Sequence, residues 1–462
     1  MRGRAGRLRG DLRGALTIRS PSPPLPSSPS PAPPDSAAHG SPSAPARPAS
    51  TVAGELERDV DRALPPAMRA YRWFHLHPEL SGLELDTARH LAAELRVLGL
   101  EVREGIGGHG LVALLRGRAG PGPTVLVRAD MDALPVAEET GLRCASLRPG
   151  VMHACGHDLH MASAVGAMRA LVARRDQLAG TVLFVGQPSE ETASGARAVL
   201  ADPSFRRAID EVGRPSVALA LHDAADLPAG TVSLRPGYAH ANVDTVDITV
   251  FGRGGHGARP HLACDPIVLG AEIVLSLQTI VSRRIPAGER AVITVGQFSS
   301  GHKHNVIPDR ATLLITVRSY EAATRVRLLE EIERVAVHVA RAHAAPRDPA
   351  VVVSDDYLPA SYNDPDWTAR LARVFAGALG PERVEQHEPS LGGEDFGQFG
   401  VELGIPGVMW KLGAVEPRRF AATPLADLPG LHSSRFAPAC RPTLRTGIVT
   451  LVLAVEEALR AG

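Results

Sequence analysis

The chain has 462 residues, 44% of them hydrophobic and 22% charged, with 50 basic and 50 acidic side chains and no formal net charge. This is a soluble globular composition long enough for two or three domains, and the charge balance excludes a general attraction to nucleic acid or an anionic membrane. Four cysteines (Cys144, Cys155, Cys264 and Cys440) are too few for a disulfide framework in so long a chain and read as thiols or metal ligands of a cytoplasmic protein.

Residues 1–52 stand apart from the rest. Arginines crowd the first twenty positions, and residues 21–48 hold eleven of the 39 prolines. Such a segment cannot bury enough apolar surface to offset ordering, and it reads as a disordered tail. No apolar run reaches the roughly 20 residues of a membrane span. Only Lys303 and Lys411 are lysines among the basic residues, a pattern that reads as coding bias.

Residues 54–101 read as largely helical: Leu91, Leu95 and Leu98 recur at helical spacing and Gly99 marks the end. Thr124 to Val127 reads as a buried strand leading into Arg128-Ala129-Asp130-Met131-Asp132, residues 159–175 as a helix, and Thr181 to Val185 and Ser216 to Leu221 as further strands. Strands alternating with helices predict an α/β fold with helices flanking a central sheet. Polar segments just past these strands lie where open α/β sheets place their sites.

The pattern changes near residue 240. Strands over 243–250, 291–295, 312–317 and 350–353 interleave with helices over 265–281 and 322–342, the β-α-β-β-α-β order of a ferredoxin-like unit. The expected organisation is a catalytic domain in two parts, 53–240 and 354–462, with an α+β lid or dimerisation domain, 241–353, inserted between them. Helices over 366–380 and 442–459 complete the first fold.

Several segments carry chemistry. His153-Ala154-Cys155-Gly156-His157-Asp158-Leu159-His160 concentrates thiol and imidazole groups suited to zinc and similar metals. Pro188-Ser189-Glu190-Glu191 follows a buried strand; one carboxylate suits a metal and the other a base, although the pair alone reads more readily as a solvated acidic turn. His256 sits in the glycine-rich turn Gly254-Gly255-His256-Gly257. Asn305 opens Asn305-Val306-Ile307-Pro308-Asp309, and Arg318 ends a strand, where arginine either pairs with an acid or grips a substrate carboxylate. Gly392-Gly393-Glu394-Asp395-Phe396, His222 and Leu431-His432-Ser433 lie between or just after predicted elements.

In this order the segments, together with His75-Leu76-His77-Pro78-Glu79-Leu80 and Arg128 to Pro135, resemble the M20 metallopeptidase superfamily. The similarity is greatest to its amidohydrolase branch of hippurate hydrolases, N-acyl-amino-acid amidohydrolases and auxin-conjugate hydrolases. The resemblance implies a metal-dependent amidohydrolase that cleaves N-acyl amino acids or small peptides. It implies two divalent ions (zinc, manganese, cobalt or nickel) on Cys155, His157, Glu191, His222 and His432, with Glu190 as general acid/base. His256 would reach an active site from the lid, in many relatives that of the other subunit of a homodimer, and Asn305 and Arg318 would contact substrate. Three departures bear on substrate preference: Ser189 stands where the usual segment has alanine, Gly237 to Asn242 replaces a run that commonly carries methionine and serine, and Ser433-Ser434-Arg435 stands between His432 and Phe436 where relatives often carry proline. The competing readings are a thiol hydrolase with Cys155 as nucleophile and a non-enzymatic metal-binding protein on a hydrolase scaffold.

Overall fold

The computed structural model describes residues 49–461. The tail expected over 1–52 lies outside them up to residue 48, and its last four positions already belong to the first helix, Ala49–Leu76. The helical stretch expected over 54–101 is two helices, Ala49–Leu76 and Leu85–Val97. Pro78 and Gly82, the latter at φ +78°, occupy the break between them.

In chain order the strands are β1 (Glu101–Ile106), β2 (Gly110–Arg116), β3 (Thr124–Asp130), β4 (Thr181–Gln187), β5 (Val217–Pro228), β6 (Val232–Leu234), β7 (Gly237–His240) and β8 (Asn242–Phe251). They continue as β9 (Gly255–His256), β10 (Ala291–Ser300), β11 (Val306–Ile307), β12 (Arg310–Ser319), β13 (Ala350–Val353), β14 (Ser361–Asn363), β15 (Val384–Gln386) and β16 (Gly407–Val415).

Eight strands form one mixed sheet in the order β1-β2-β4-β3-β5-β16-β6-β15. Its centre, β4-β3-β5-β16, is parallel. β2 runs antiparallel to β4, and β6 antiparallel to β16. β3 and β4 are buried along almost their whole length, as parallel strands covered on both faces must be. Alternate residues feed two cores. Val125, Val127, Val182, Phe184, Leu219 and Leu221 pack under helices Ala49–Leu76, His157–Ala173 and Cys440–Arg460. Leu126, Leu183, Val185, Ala218 and Ala220 face Phe205 and Phe399 on the other side. Helix His157–Ala173 is buried on nearly every face, not on one, because it sits between the sheet and two other helices.

β16 was not anticipated: glycines and Lys411 interrupt its apolar run, yet it occupies the sheet's interior next to β5.

Residues 242–353 form a separate antiparallel sheet, β10-β12-β8-β13, the strand order of a ferredoxin-like unit. Helices Pro266–Arg283 and Ala322–Ala342 cover one face and build a core of their own from Ile248, Ile273, Leu313 and Ile332. Asp265 caps the first of these helices, accepting from the Ile267 N–H at 2.9 Å. One expectation is corrected here: at 18 residues, Pro266–Arg283 is long and apolar enough by composition to cross a membrane. Its Leu269, Ile273, Leu277 and Ile280 are instead buried in the second core, while Ile267, Val268 and Leu275 stay exposed.

Candidate metal centre

The parallel strands β3, β4 and β5 end side by side, so the loops that follow them converge at one edge of the sheet. Cys155 and His157 come from the loop that opens helix His157–Ala173. Gly156 between them has φ +74°, and a Cβ there would lie 2.1 Å from Asp223 Oδ2, so the turn admits only glycine. Glu190 and Glu191 follow β4. Ser189 before them holds φ +55°, strain of order 1–3 kcal/mol that is held in place by Glu84, whose carboxylate accepts the Ser189 N–H at 2.8 Å. His222 projects from β5. His432 also has positive φ, +65°, with its N–H donating to Ala154 O at 2.8 Å.

These segments bring the donors together. Cys155 Sγ lies 3.3 Å from His432 Nε2 and 3.6 Å from His222 Nε2. His432 Nε2 is 3.5 Å from Glu191 Oε1, and His157 Nε2 is 3.9 Å from both Glu190 Oε2 and Glu191 Oε1. Two triads result, Cys155–Glu191–His432 and His157–Glu190–Glu191, each with ligand atoms within 4.8 Å of one another.

Two of the three imidazoles are oriented by their other nitrogen. His157 Nδ1 donates to Asp132 O at 2.8 Å, and His222 Nδ1 to Asp223 O at 2.8 Å. The Asp132 carboxylate accepts the N–H groups of Glu190 and Glu191 at 3.1 and 2.9 Å and the Ser81 hydroxyl at 2.7 Å. It therefore sets the aim of both carboxylates.

A divalent transition metal fits these residues. The Nε2 of His157 and Oε1 of Glu191 are buried without any hydrogen-bond partner, a costly state unless a cation completes them. The mixture of thiol, imidazole and carboxylate is the donor set such ions take. His160 is close enough to be grouped with His157, His222 and Asp130, but its ring is already engaged: Nδ1 meets Asp130 at 2.6 Å and Nε2 accepts the Asp223 N–H at 2.9 Å. It supports the site rather than offering a ligand.

The electrostatics bear on the competing readings. Burial, reinforced by the Glu191 and Glu190 carboxylates, outweighs His157 and pushes the Cys155 thiol well above its ordinary range. Reactive cysteine nucleophiles sit in electropositive, accessible surroundings, the opposite of this one. The Glu190 carboxyl is also pushed well up, by burial first and then by Glu394 and Asp395. Those two acids share the buried Arg128, whose Nη2 donates to Glu394 at 3.1 Å and Asp395 at 2.9 Å and whose Nη1 donates to Asp130 at 2.6 Å.

An open cavity of about 790 Å³ lies over the centre, lined by Cys155, Glu190, Glu191, His222, His432 and Arg318. His157 lies buried below. Arg318 bonds only to Thr316 Oγ1 and Leu391 O, at 3.2 and 3.3 Å, with no carboxylate within ion-pair distance among the described residues. Of its two readings, pairing with an acid is thereby removed. His256, on the two-stranded β9–β11 sheet, and Asn305, just before β11, are exposed and do not line the cavity.

Asp132, Asp130, His160 and Asp223 received no individual role from the sequence. His75 belongs with them: its Nδ1 meets Asp158 at 2.6 Å and its Nε2 meets Glu138 at 3.3 Å, which ties the first helix to the start of helix His157–Ala173. The signal that could have found most of them is their presence inside the same motifs, while Asp223 is marked only by following His222.

Comparison with known proteins agrees with this geometry. Residues 126–427 match Peptidase family M20/M25/M40. An N-acetylcysteine deacetylase of Bacillus subtilis is 37% identical over 74% of this chain and 86% of its own length. An N-acetyldiaminopimelate deacetylase of a Geobacillus species is 33% identical over 81% of this chain and 94% of its own. The crystal structure of the Bacillus subtilis YXEP protein, described as a dinuclear metal-binding peptidase, superposes with a TM-score of 0.70 at 31% identity, covering 86% of this chain and 99% of that one.

Proposed function

The chain belongs to peptidase family M20/M25/M40 and is a metal-dependent hydrolase of carbon–nitrogen bonds, and from that premise we propose that it cleaves the amide of N-acyl amino acids or small peptides with Glu190 as general acid/base. The observation that carries this reading is the pair of donor triads at the floor of an open cavity, with Glu190 beside them. Cys155, His157, Glu191, His222 and His432 hold two divalent ions; the thiol favours zinc, cobalt or nickel, and manganese remains compatible with the imidazoles and carboxylate. Bound there, such ions supply Lewis acidity toward the amide carbonyl and acidify the attacking water.

Glu190 takes the proton of that water and passes it to the leaving amine. Arg318 grips the α-carboxylate of the amino acid product. His256 and Asn305 contribute to oxyanion and carboxylate contacts once the ferredoxin-like unit closes over the site or a second copy supplies them. A homodimer is part of this reading: the edge strand β10 with exposed Phe298, and the exposed Ile267, Val268 and Leu275, offer a self-pairing surface. A cytoplasmic location, with all four cysteines as free thiols, completes it.

Metal analysis joined to a substrate panel of N-acetyl, N-benzoyl and indole-acyl amino acids tests the proposal. Chelation should abolish turnover, and added divalent ions should restore it. Turnover that ignores the chelator returns the chemistry to the Cys155 thiol. A metal-loaded protein that cleaves nothing on the panel is a binding scaffold. Arg318→Ala should lower kcat/KM for N-acyl amino acids roughly 10–100-fold, the scale of one lost charge-assisted contact, with metal content intact. An unchanged kcat/KM removes Arg318 from substrate binding.

A further inference from the structure

The cavity has a polar wall that the reaction does not use. Lys411 on β16 pairs in register with His222 of β5 on one side and Ser233 of β6 on the other. Paired residues on neighbouring strands project to the same face. Lys411 and His222 both line the cavity, so the ammonium stands one strand away from a residue placed on the metals. A fixed positive charge there opposes cation binding, which makes it an expensive residue to keep at the site.

Among the described residues none neutralises this charge closely. The Lys411 ammonium makes no hydrogen bond among them, and its carboxylate neighbour is Asp226 at 3.8 Å, itself half exposed. Around it stand His240, whose buried Nδ1 has no partner, and His387, whose Nδ1 meets Ser233 Oγ at 3.0 Å; both line the cavity. Burial, and after it Lys411, pushes His387 down to about 3, and burial also lowers His240. The wall thus presents the Lys411 ammonium flanked by imidazoles whose charged form burial disfavours, in a cavity whose floor carries Glu190 and Glu191. In a chain whose other basic residues are all arginine except Lys303, this compact point charge is conspicuous.

We propose that Lys411, with His240 and His387, forms a second anion subsite, and that the preferred substrates are N-acyl amino acids bearing a second carboxylate. This rests on the hydrolase reading above. The α-carboxylate goes to Arg318 and the second one to Lys411. That second carboxylate comes either from an acidic side chain or from a dicarboxylic acyl group, two sources of the same chemistry.

The test uses full-length, metal-loaded protein with N-acetylleucine, N-acetylglutamate and N-succinylleucine. At least one dicarboxylate should be preferred over N-acetylleucine. Lys411→Met should reduce that preference, expressed as a ratio of kcat/KM values, by about 10–100-fold, and Lys411→Arg should retain most of it. The dicarboxylate whose ratio falls identifies the source. Wild-type protein with no preference, a ratio unmoved by Lys411→Met, or a parallel loss on all three substrates together with bound metal overturns the subsite. Calorimetric binding of N-acetylglutamate and N-succinylleucine to wild-type and Lys411→Met protein gives a readout independent of turnover. Binding that depends on Lys411, in a protein that hydrolyses neither, supports the subsite and overturns only the hydrolase reading. Absence of such binding overturns the subsite.

Discussion

Glu190→Gln is expected to lower kcat by about 10²–10⁴-fold, the scale of losing general acid–base assistance, while the protein keeps its metals. Glutamine preserves the shape of the side chain and the backbone N–H that donates to Asp132, but its amide cannot accept a proton from water. The variant should also be no less stable than the parent. Glu190 is buried beside Glu394 and Asp395, which together with burial disfavour its ionised form, so a neutral isostere relieves a charge rather than stranding one. Elemental analysis, thermal melting and single-turnover kinetics separate these effects. Full turnover would remove Glu190 from the chemistry. A fall in activity that merely tracks lost metal would make it a ligand, as its 3.9 Å approach to His157 permits.

Much of the candidate centre could be proposed from the sequence because its first donor residues are close together along the chain. Cys155 and His157 lie two residues apart, and Glu190 and Glu191 follow a strand that its apolar run announces. His222 and His432 are isolated histidines, and only resemblance to a family separated them from the other sixteen. The contacts of the supporting groups, unlike the motifs that carry them, were invisible for a different reason. Asp130 faces Gln187 because β3 and β4 run parallel in that register, and Arg128 reaches Asp395, 267 residues away, only once the sheet is assembled. Spacing along the chain does not encode such contacts.

The fold was legible where periodicity was uninterrupted. The helix Ala322–Ala342 and the strand β13 fall at the expected positions, and the β-α-β-β-α-β order gives the sheet that was read from it. β1 and β2 were not anticipated: the helical reading ended at residue 101, the first residue of β1, and no strand was read before Thr124. β16 was missed because a lysine stands in the middle of it, and that lysine is the residue on which the second anion subsite depends. The local pattern failed at a position where a polar side chain faces the cavity from an interior strand, which is where propensity and function pull apart.

Arg128→Met should destabilise the fold by about 3–5 kcal/mol, the cost of removing one partner from a buried ionic network. Arg128 is fully buried and donates to Asp130, Glu394 and Asp395, with its Nε donating to Gln187 Oε1 at 2.9 Å. Methionine matches much of its volume, so the loss is electrostatic rather than a cavity. Three carboxylates would be left with one guanidinium fewer beneath Glu190, and the acids would have to take up protons or water. Asp395 is the most ready to do so: burial, with Glu394 adding to it, already pushes its carboxyl up to about 7 against the pull of Arg128. A second substitution follows from this. Asp395→Asn placed on top of Arg128→Met should recover part of the lost stability, because it deletes one stranded charge, and Gln187 can turn its amide to meet the new side chain. Denaturant midpoints of the parent, both single variants and the double variant measure the coupling. Additive destabilisation, with the double variant weaker than Arg128→Met alone, would refute the account of Arg128 as the counter-charge that lets this acidic floor stay folded.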